Sequence, residues 1–244
     1  MKLLLLVLTI AYCTATGVHG QLFDTSAAQT ELVATLMGPG RVFTANVTVK
    51  RERGGKQITL ANNVLFMRNG DICLEHKPVD EPSLAKLTNR LKRNHLDEVT
   101  TILIARDNKA GLLFPGKHAY LESLSEQTAA PHIESTFLRA ETVDGHLCTV
   151  RRINVTSADD SCQQLIIWEA TDLRGFIIKS QMDLGDDTNE ILIFTGIHTE
   201  QPDDSKFAIP PGYSKLSEKS AGEIAKLMLE VDLERDAAIA DALR

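Results

Sequence analysis

Aromatic residues and catalytic motifs are both scarce in this chain of 244 residues, which has eight Phe, three Tyr and one Trp. Its interior must therefore be built mainly from aliphatic side chains. The sequence contains no G-x-S-x-G, no H-E-x-x-H, no phosphate-binding loop, no Rossmann glycine set and no C-x-x-C pair. The net charge of −7 argues against nucleic acid as the main partner. We therefore expect a non-enzymatic protein without a cofactor or a metal site.

Long apolar stretches are also missing, except at the N-terminus. Lys2 is followed by the apolar stretch Leu3 to Ala11 and then by small residues ending at Gly20. This layout predicts a secretory signal peptide over residues 1–20, cleaved after Gly20, and hence a periplasmic or secreted protein. A buried N-terminal helix is the alternative. A lipid anchor at Cys13 is disfavoured because the bulky Tyr12 precedes it.

The rest of the chain is dominated by strand and turn signals. Period-2 alternation and short turns predict about nine to eleven antiparallel strands, over residues 41–51, 57–68, 71–76, 100–106, 111–114, 118–122, 136–142, 146–155, 162–170, 175–182 and 189–198. Residues 123–135 are predicted to be a loop or a short helix. Because strands and helices do not alternate, we expect an α+β protein rather than a doubly wound fold.

Three helices are predicted beside these strands. A capping box at Ser26 begins a helix over residues 26–37, and a second box at Ser220 begins the last helix. Between them, Leu84, Leu87 and Leu91 recur at helical spacing within residues 80–99. The other face of this middle helix is basic and supplies the candidates for surface docking, Lys86, Arg90, Lys92 and Arg93. They predict contact with an anionic membrane surface or a partner; the alternative is the solvated face of an ordinary packed helix.

Several strands carry an apolar face that could line one concave surface. The candidates for lining a ligand site are Phe43, Val47, Val49, Ile58, Leu60, Val64, Phe66, Ile102, Ile104, Ile153, Val155, Leu165, Ile167, Phe176, Ile178, Ile191 and Ile193. The alternative is that the helices fill this surface as a plain core.

Removal of the signal peptide leaves Cys73, Cys148 and Cys162, and an odd number allows at most one internal disulfide. A hairpin turn at residues 158–160 would place Cys148 opposite Ala170 and Cys162 opposite Thr156. The two cysteines would then lie roughly 26 Å apart along the strands, against the roughly 7 Å that a disulfide tolerates. The Cys148–Cys162 bridge is therefore disfavoured, whereas Cys73–Cys148 and no bridge at all stay open.

The segment TILIARDNKAGLLFPGKHAY, from Thr101 to Tyr120, resembles a strand–turn–strand passage of secreted bacterial proteins in the LolA-like superfamily of lipoprotein carriers. The strands Val143 to Cys148 and Leu165 to Ala170 are similar to the same plan, as is Phe207 to Tyr213. The resemblance covers roughly residues 40–213 and has no catalytic signature. The basic helix at 80–99 and the helix after residue 217 lie outside its matching parts.

This resemblance implies an incomplete β-barrel, in which one strongly curved antiparallel sheet has helices covering its concave face. We expect residues 1–20 to be the signal peptide, 21–216 the half-barrel domain and 217–244 a C-terminal helical tail. The implied function is non-enzymatic binding of an acyl chain, a lipoprotein or another apolar ligand in the cell envelope. The alternative is a structural or protein-interaction module with a filled core.

Overall fold

One large curved sheet contains all the strands in the part of the chain that the structure describes. The structure is a computed structural model, and it describes residues 32–34, 36–38, 40–104, 109–124, 132–156 and 162–244. The strands are β1 Val42–Arg53, β2 Lys56–Arg68, β3 Asp71–Lys77, β4 Val99–Ile104, β5 Lys109–Phe114, β6 Ala119–Leu124, β7 His132–Val143, β8 His146–Thr156, β9 Cys162–Ala170, β10 Phe176–Gly185, β11 Thr188–His198 and β12 Ser214–Lys215.

Two meanders meet in the middle of this sheet. The strand order is β12-β6-β5-β4-β3-β2-β1-β11-β10-β9-β8-β7, so the first meander runs outward from β1 and the second returns to it through β11. All neighbouring pairs are antiparallel except β12 and β6, which are parallel. The sheet does not close, since β12 and β7 are its two edges. The predicted α+β fold with an incomplete barrel is confirmed.

Short turns fix the register of the hairpins. Asn69 and Gly70 both adopt positive φ, at 51° and 93°, between β2 and β3. Asp144 and Gly145 do the same between β7 and β8, at 50° and 85°. Asn, Asp and Gly tolerate this conformation best, which is why these dipeptides mark tight hairpins.

The register of β8 and β9 is the predicted one: Cys148 lies opposite Ala170 and Thr156 opposite Cys162. All three described cysteines, Cys73 included, are free. The turn at residues 158–160, the predicted signal peptide and Cys13 lie outside the described residues.

The prediction for residues 123–135 was wrong at its C-terminal end, because β7 begins at His132. Residues 132–135 pair with β8 but are exposed, as are most residues of this edge strand. An edge strand without a buried face lacks the apolar alternation by which strands are predicted.

Two α-helices with described bounds accompany the sheet: α1 Ala85–Arg93 and α2 Glu218–Ala242. Helix α1 is shorter than the predicted 80–99, since a 3-10 turn at Pro82–Leu84 precedes it and His95 leaves it with φ 55°. Residues 32–34 and 36 of the first predicted helix are also helical. None of the described helices is long and apolar enough to cross a membrane.

The N-cap of α2 differs from the prediction. The helix begins at Glu218 and is capped by Ser217, whose hydroxyl oxygen accepts a hydrogen bond from the N–H of Ser220 at 3.2 Å. Ser220 therefore lies inside the first turn as the capped residue, and it is not itself the cap.

The main hydrophobic cluster joins the sheet to both helices. Leu84 precedes α1 and Leu87 lies within it, while Val231 and Ile239 project from α2, and all four are buried among strand residues. A second cluster, centred on Cys73, lies under the 3-10 turn Asp204–Phe207. The two clusters lie on opposite faces of the sheet, since Leu74 belongs to the first and its neighbour Cys73 to the second.

Candidate functional site

Residues that lie opposite each other in an antiparallel sheet project from the same face. The concave face is defined here as the face that carries Val47 and Val49. Val49 faces Leu192 of β11, which faces Ser180 of β10, which faces Ile167 of β9. The candidates on this face, assigned by register or by their place in the main cluster, are Phe43, Val47, Val49, Ile58, Leu60, Ile153, Val155, Leu165, Ile167, Phe176 and Ile178.

The remaining candidates do not lie on the concave face. Val64 and Phe66 alternate with Asn63 and Leu65, which face β1 residues of the concave face. By the same register Ile102, Ile104, Ile191 and Ile193 also project from the opposite face. The concave positions of these strands are Leu65, Met67, Leu103, Leu192 and Phe194, which sequence reasoning missed. These strands are apolar on both faces, so alternation gives no signal for choosing between them.

Most of the concave face is a filled core. Phe43, Val47 and Val49 are at most 1% exposed. The rings of Phe43 and Phe176 pack edge to face with their centroids 4.8 Å apart. These side chains sit in the main cluster, which also contains Val231 and Ile239 of α2. Among the predicted lining residues, only Leu60 lines the cavity described next.

An open cavity of about 160 Å³ lies at one end of the concave face, between the sheet and the two helices. Ala61 and Leu112 come from the sheet, Leu87 from α1 and Val231 from α2. The full lining is Leu60, Ala61, His76, Lys77, Pro78, Val79, Leu84, Leu87, Thr88, Leu91, Leu96, Asp97, Val99, Leu112, Phe114, Met228, Val231, Asp232 and Arg235. The cavity is therefore lined mainly by aliphatic side chains, with polar groups at a few points.

Three of the polar side chains that line the cavity have partners in the protein. The Nε2 atom of His76 lies 3.3 Å from the hydroxyl of Thr101, within hydrogen-bond distance. On α2, Arg235 and Asp232 form an ion pair at 3.1 Å. An apolar cavity with a few polar groups is the usual composition of a small-molecule site.

Helix α1 is held over this cavity by Arg90. Its guanidinium donates to Glu230 at 2.6 Å and to Glu234 at 2.7 Å, and both carboxylates belong to α2. Arg90 is therefore an interhelical contact and differs from the other docking candidates. Lys86, Lys92 and Arg93 are exposed, and their docking role stays a prediction.

A buried ion pair ties α2 to the middle of the sheet. Arg51 of β1 lies 2.8 Å from the fully buried Glu190 of β11 and 3.2 Å from Asp236 of α2. Taking two charges out of water is costly, so such a pair is kept only when both partners are present. The sequence offered no signal for it, because Arg51 and Glu190 belong to different meanders.

The opposite face has a pocket of about 370 Å³ between the strands and the segment that includes Pro210 and Pro211. Cys73 lines it, and burial, followed by the nearby Glu75 carboxylate, raises the pKa of this thiol to about 12. Lys206 and Glu75 also line this pocket, and the Nζ atom of Lys206 lies 2.6 Å from the Glu75 carboxylate in an ion pair. Among the described residues, no group of three His, Cys, Asp or Glu side chains could hold a metal ion.

No protein-family model and no curated protein matches the chain. Similar solved structures include a LolA superfamily protein from Nitrosomonas europaea, 12% identical over 70% of this chain and 91% of that chain, with a TM-score of 0.35. Lipoprotein LppX from Mycobacterium tuberculosis is 12% identical over 74% and 99%, with a TM-score of 0.36. A chain of the Pseudomonas aeruginosa MucA/MucB complex is 13% identical over 78% of this chain and 62% of that chain, with a TM-score of 0.37. Identities and TM-scores this low establish neither a shared family nor a shared ligand.

Proposed function

We propose that the protein binds an apolar ligand, such as an acyl chain, in the cavity between the concave face and the two helices. The observation that carries this proposal is the cavity itself, whose walls bring Leu87 of α1, Val231 of α2 and Leu112 of the sheet together around about 160 Å³. Binding is driven by burial of apolar surface and involves no covalent step. Each buried CH₂ group contributes about 0.8 kcal/mol.

The size of the cavity limits what it holds without rearrangement. An apolar cavity of about 150 Å³ accommodates a molecule of the size of benzene. A cavity of about 160 Å³ therefore accepts a short alkyl segment. A longer chain has to extend through the open side or displace α1, which is nine residues long and buries Leu87.

The proposed place of action is the cell envelope. The signal peptide predicted over residues 1–20 would deliver the protein to the periplasm or the exterior. There, the exposed Lys86, Lys92 and Arg93 on α1 would bring the cavity to an anionic membrane surface. Cosedimentation with vesicles that contain anionic lipid tests this step, and charge reversal at all three positions should abolish it.

Ligand binding is tested with N-phenyl-1-naphthylamine, a neutral dye that fluoresces in apolar surroundings. Ala61 lines the cavity, so Ala61→Leu should fill part of it and weaken dye binding by at least tenfold. The matched control is Ala140→Leu, because Ala140 is exposed on the edge strand β7 and does not line the cavity. Binding that is equal in all three proteins would show that the dye sits elsewhere, and its absence in the unmodified protein would favour a filled-core interaction module.

A further inference from the structure

A buried amide on the concave face has unmet hydrogen-bonding capacity. Asn63 of β2 is 2% exposed. Neither its Nδ2 nor its Oδ1 has a hydrogen-bond partner among the residues that the structure describes. Buried polar groups in folded proteins are almost always hydrogen-bonded, so an exception calls for an explanation.

The position of Asn63 connects it with the cavity. It lies opposite Val47 on one side and opposite His76 on the other, and Ala61 is the preceding residue on the same face. Both His76 and Ala61 line the cavity. Side chains directly opposite each other in a sheet have Cβ atoms about 4.5–5.5 Å apart. The amide is therefore one side chain behind the cavity wall.

The hydrogen-bonding groups of the Asn63 side chain determine which ligand groups can pair with it. The Asn side chain offers two donor hydrogens and an acceptor oxygen. An ester supplies only acceptors, and a carboxylate supplies acceptors together with a charge that is costly to bury. A neutral carboxamide supplies both a donor and an acceptor, and so it can satisfy both Nδ2 and Oδ1.

We propose that Asn63 binds the polar end of the ligand, and that this end is a neutral amide on an apolar chain, as in a fatty acid amide or an N-acyl amine. The inference rests on the proposed function, since the chain of this ligand occupies the apolar cavity. Asn63 does not itself line the cavity, so the His76 side chain has to move aside for the amide end to reach it. The chain points towards Leu87 and Val231.

The test compares octanamide with methyl octanoate, which has the same acyl chain but no donor, as competitors of N-phenyl-1-naphthylamine. In the unmodified protein we expect octanamide to bind about fivefold more tightly, because its N–H group adds one hydrogen bond, to Asn63 Oδ1, that the ester cannot make. In Asn63→Leu the two compounds should bind equally. The matched control is Asn62→Leu, because Asn62 is exposed on the opposite face of the same strand and should leave the preference unchanged.

The inference is overturned if the two compounds bind the unmodified protein equally, or if the preference for octanamide persists in Asn63→Leu. In either case the proposed function still stands, provided that the dye binds. If neither the dye nor the compounds bind the unmodified protein, the proposed function fails, and the inference fails with it.

Thermal unfolding gives a second readout without ligand. An amide without partners gains nothing from folding, so Asn63→Leu should keep or raise the melting temperature. A clear fall would show that the amide is already bonded in the free protein, and would also overturn the inference.

Discussion

Helix α1 should control access to the cavity, and Arg90 is the residue through which this can be tested. Its guanidinium contacts Glu230 and Glu234 at 2.6 and 2.7 Å, so one side chain joins α1 to α2. The Arg90 side chain is 28% exposed and the carboxylates are 45% and 47% exposed. Exposed ion pairs of this kind contribute only about 0.2–1 kcal/mol each. Arg90→Ala should therefore ease the opening of α1 by about 1 kcal/mol.

This free energy predicts a change in rate. A change of 1.4 kcal/mol is a factor of ten, so easing the opening by about 1 kcal/mol accelerates ligand entry by about fivefold if entry requires α1 to move. Stopped-flow fluorescence with N-phenyl-1-naphthylamine measures this rate directly. Because salt screens exposed charges, raising the salt concentration should accelerate entry into the unmodified protein and have little effect on Arg90→Ala.

The control for this experiment lies on the same helix. Arg93 is exposed, and its Nε donates to the carbonyl of Asn89, within α1 itself, at 3.3 Å. Arg93→Ala should therefore leave the entry rate unchanged. An unchanged rate in Arg90→Ala, with dye binding intact, would refute the gating role of α1.

Three further predictions concern the fold. Arg51→Ala should lower the free energy of unfolding by about 3–5 kcal/mol, because it removes the guanidinium that pairs with the buried Glu190 carboxylate, whereas Arg51→Met with Glu190→Leu should recover most of the loss in denaturant titrations. An equal loss in both variants would contradict this. Leu74→Ala should cost about 2–5 kcal/mol, since Leu74 is fully buried, and a cost below 1 kcal/mol would show that the core is loosely packed. At pH 8, iodoacetamide should label Cys162 in the folded protein and leave Cys73 and Cys148 unlabelled, as peptide mass spectrometry can show, because these two are buried. Because the pKa of Cys73 is about 12 in the folded protein against an ordinary 9.0, the unfolded state releases this proton first, and the free energy of unfolding should fall as the pH rises from about 9 towards 12. Rapid labelling of Cys73 at pH 8 would contradict its burial.

The pairing of consecutive strands through short turns, and the register of β8 with β9, could be predicted because they depend on local signals. Asn69-Gly70 and Asp144-Gly145 set tight hairpins, and the hairpin predicted around residues 158–160 gave the register that β8 and β9 have. The LolA-like resemblance then gave the shape into which these hairpins assemble. The edge strand β7 was predicted too short, since its first residues have no buried face.

The candidate site could be predicted only in part. In β4, Ile102 and Leu103 are both buried, at 5% and 3% exposure, so no alternation shows which of them faces inward. The cavity depends on contacts between distant segments, such as Arg90 with Glu230, which lie 140 residues apart. No local pattern encodes such a contact. The apolar stripe of α1 was visible in the sequence, but its role as a cavity wall was not.

Photo-crosslinking tests the central claim, ligand binding beneath the two helices, most directly. A fatty acid analogue with a diazirine on its alkyl chain would be bound, irradiated and located by peptide mass spectrometry. The account predicts labels on the residues of α1 and α2 that line the cavity, namely Leu87, Thr88, Leu91, Met228, Val231, Asp232 and Arg235. Labels confined to exposed apolar residues elsewhere, such as Phe137 and Leu147, would contradict it.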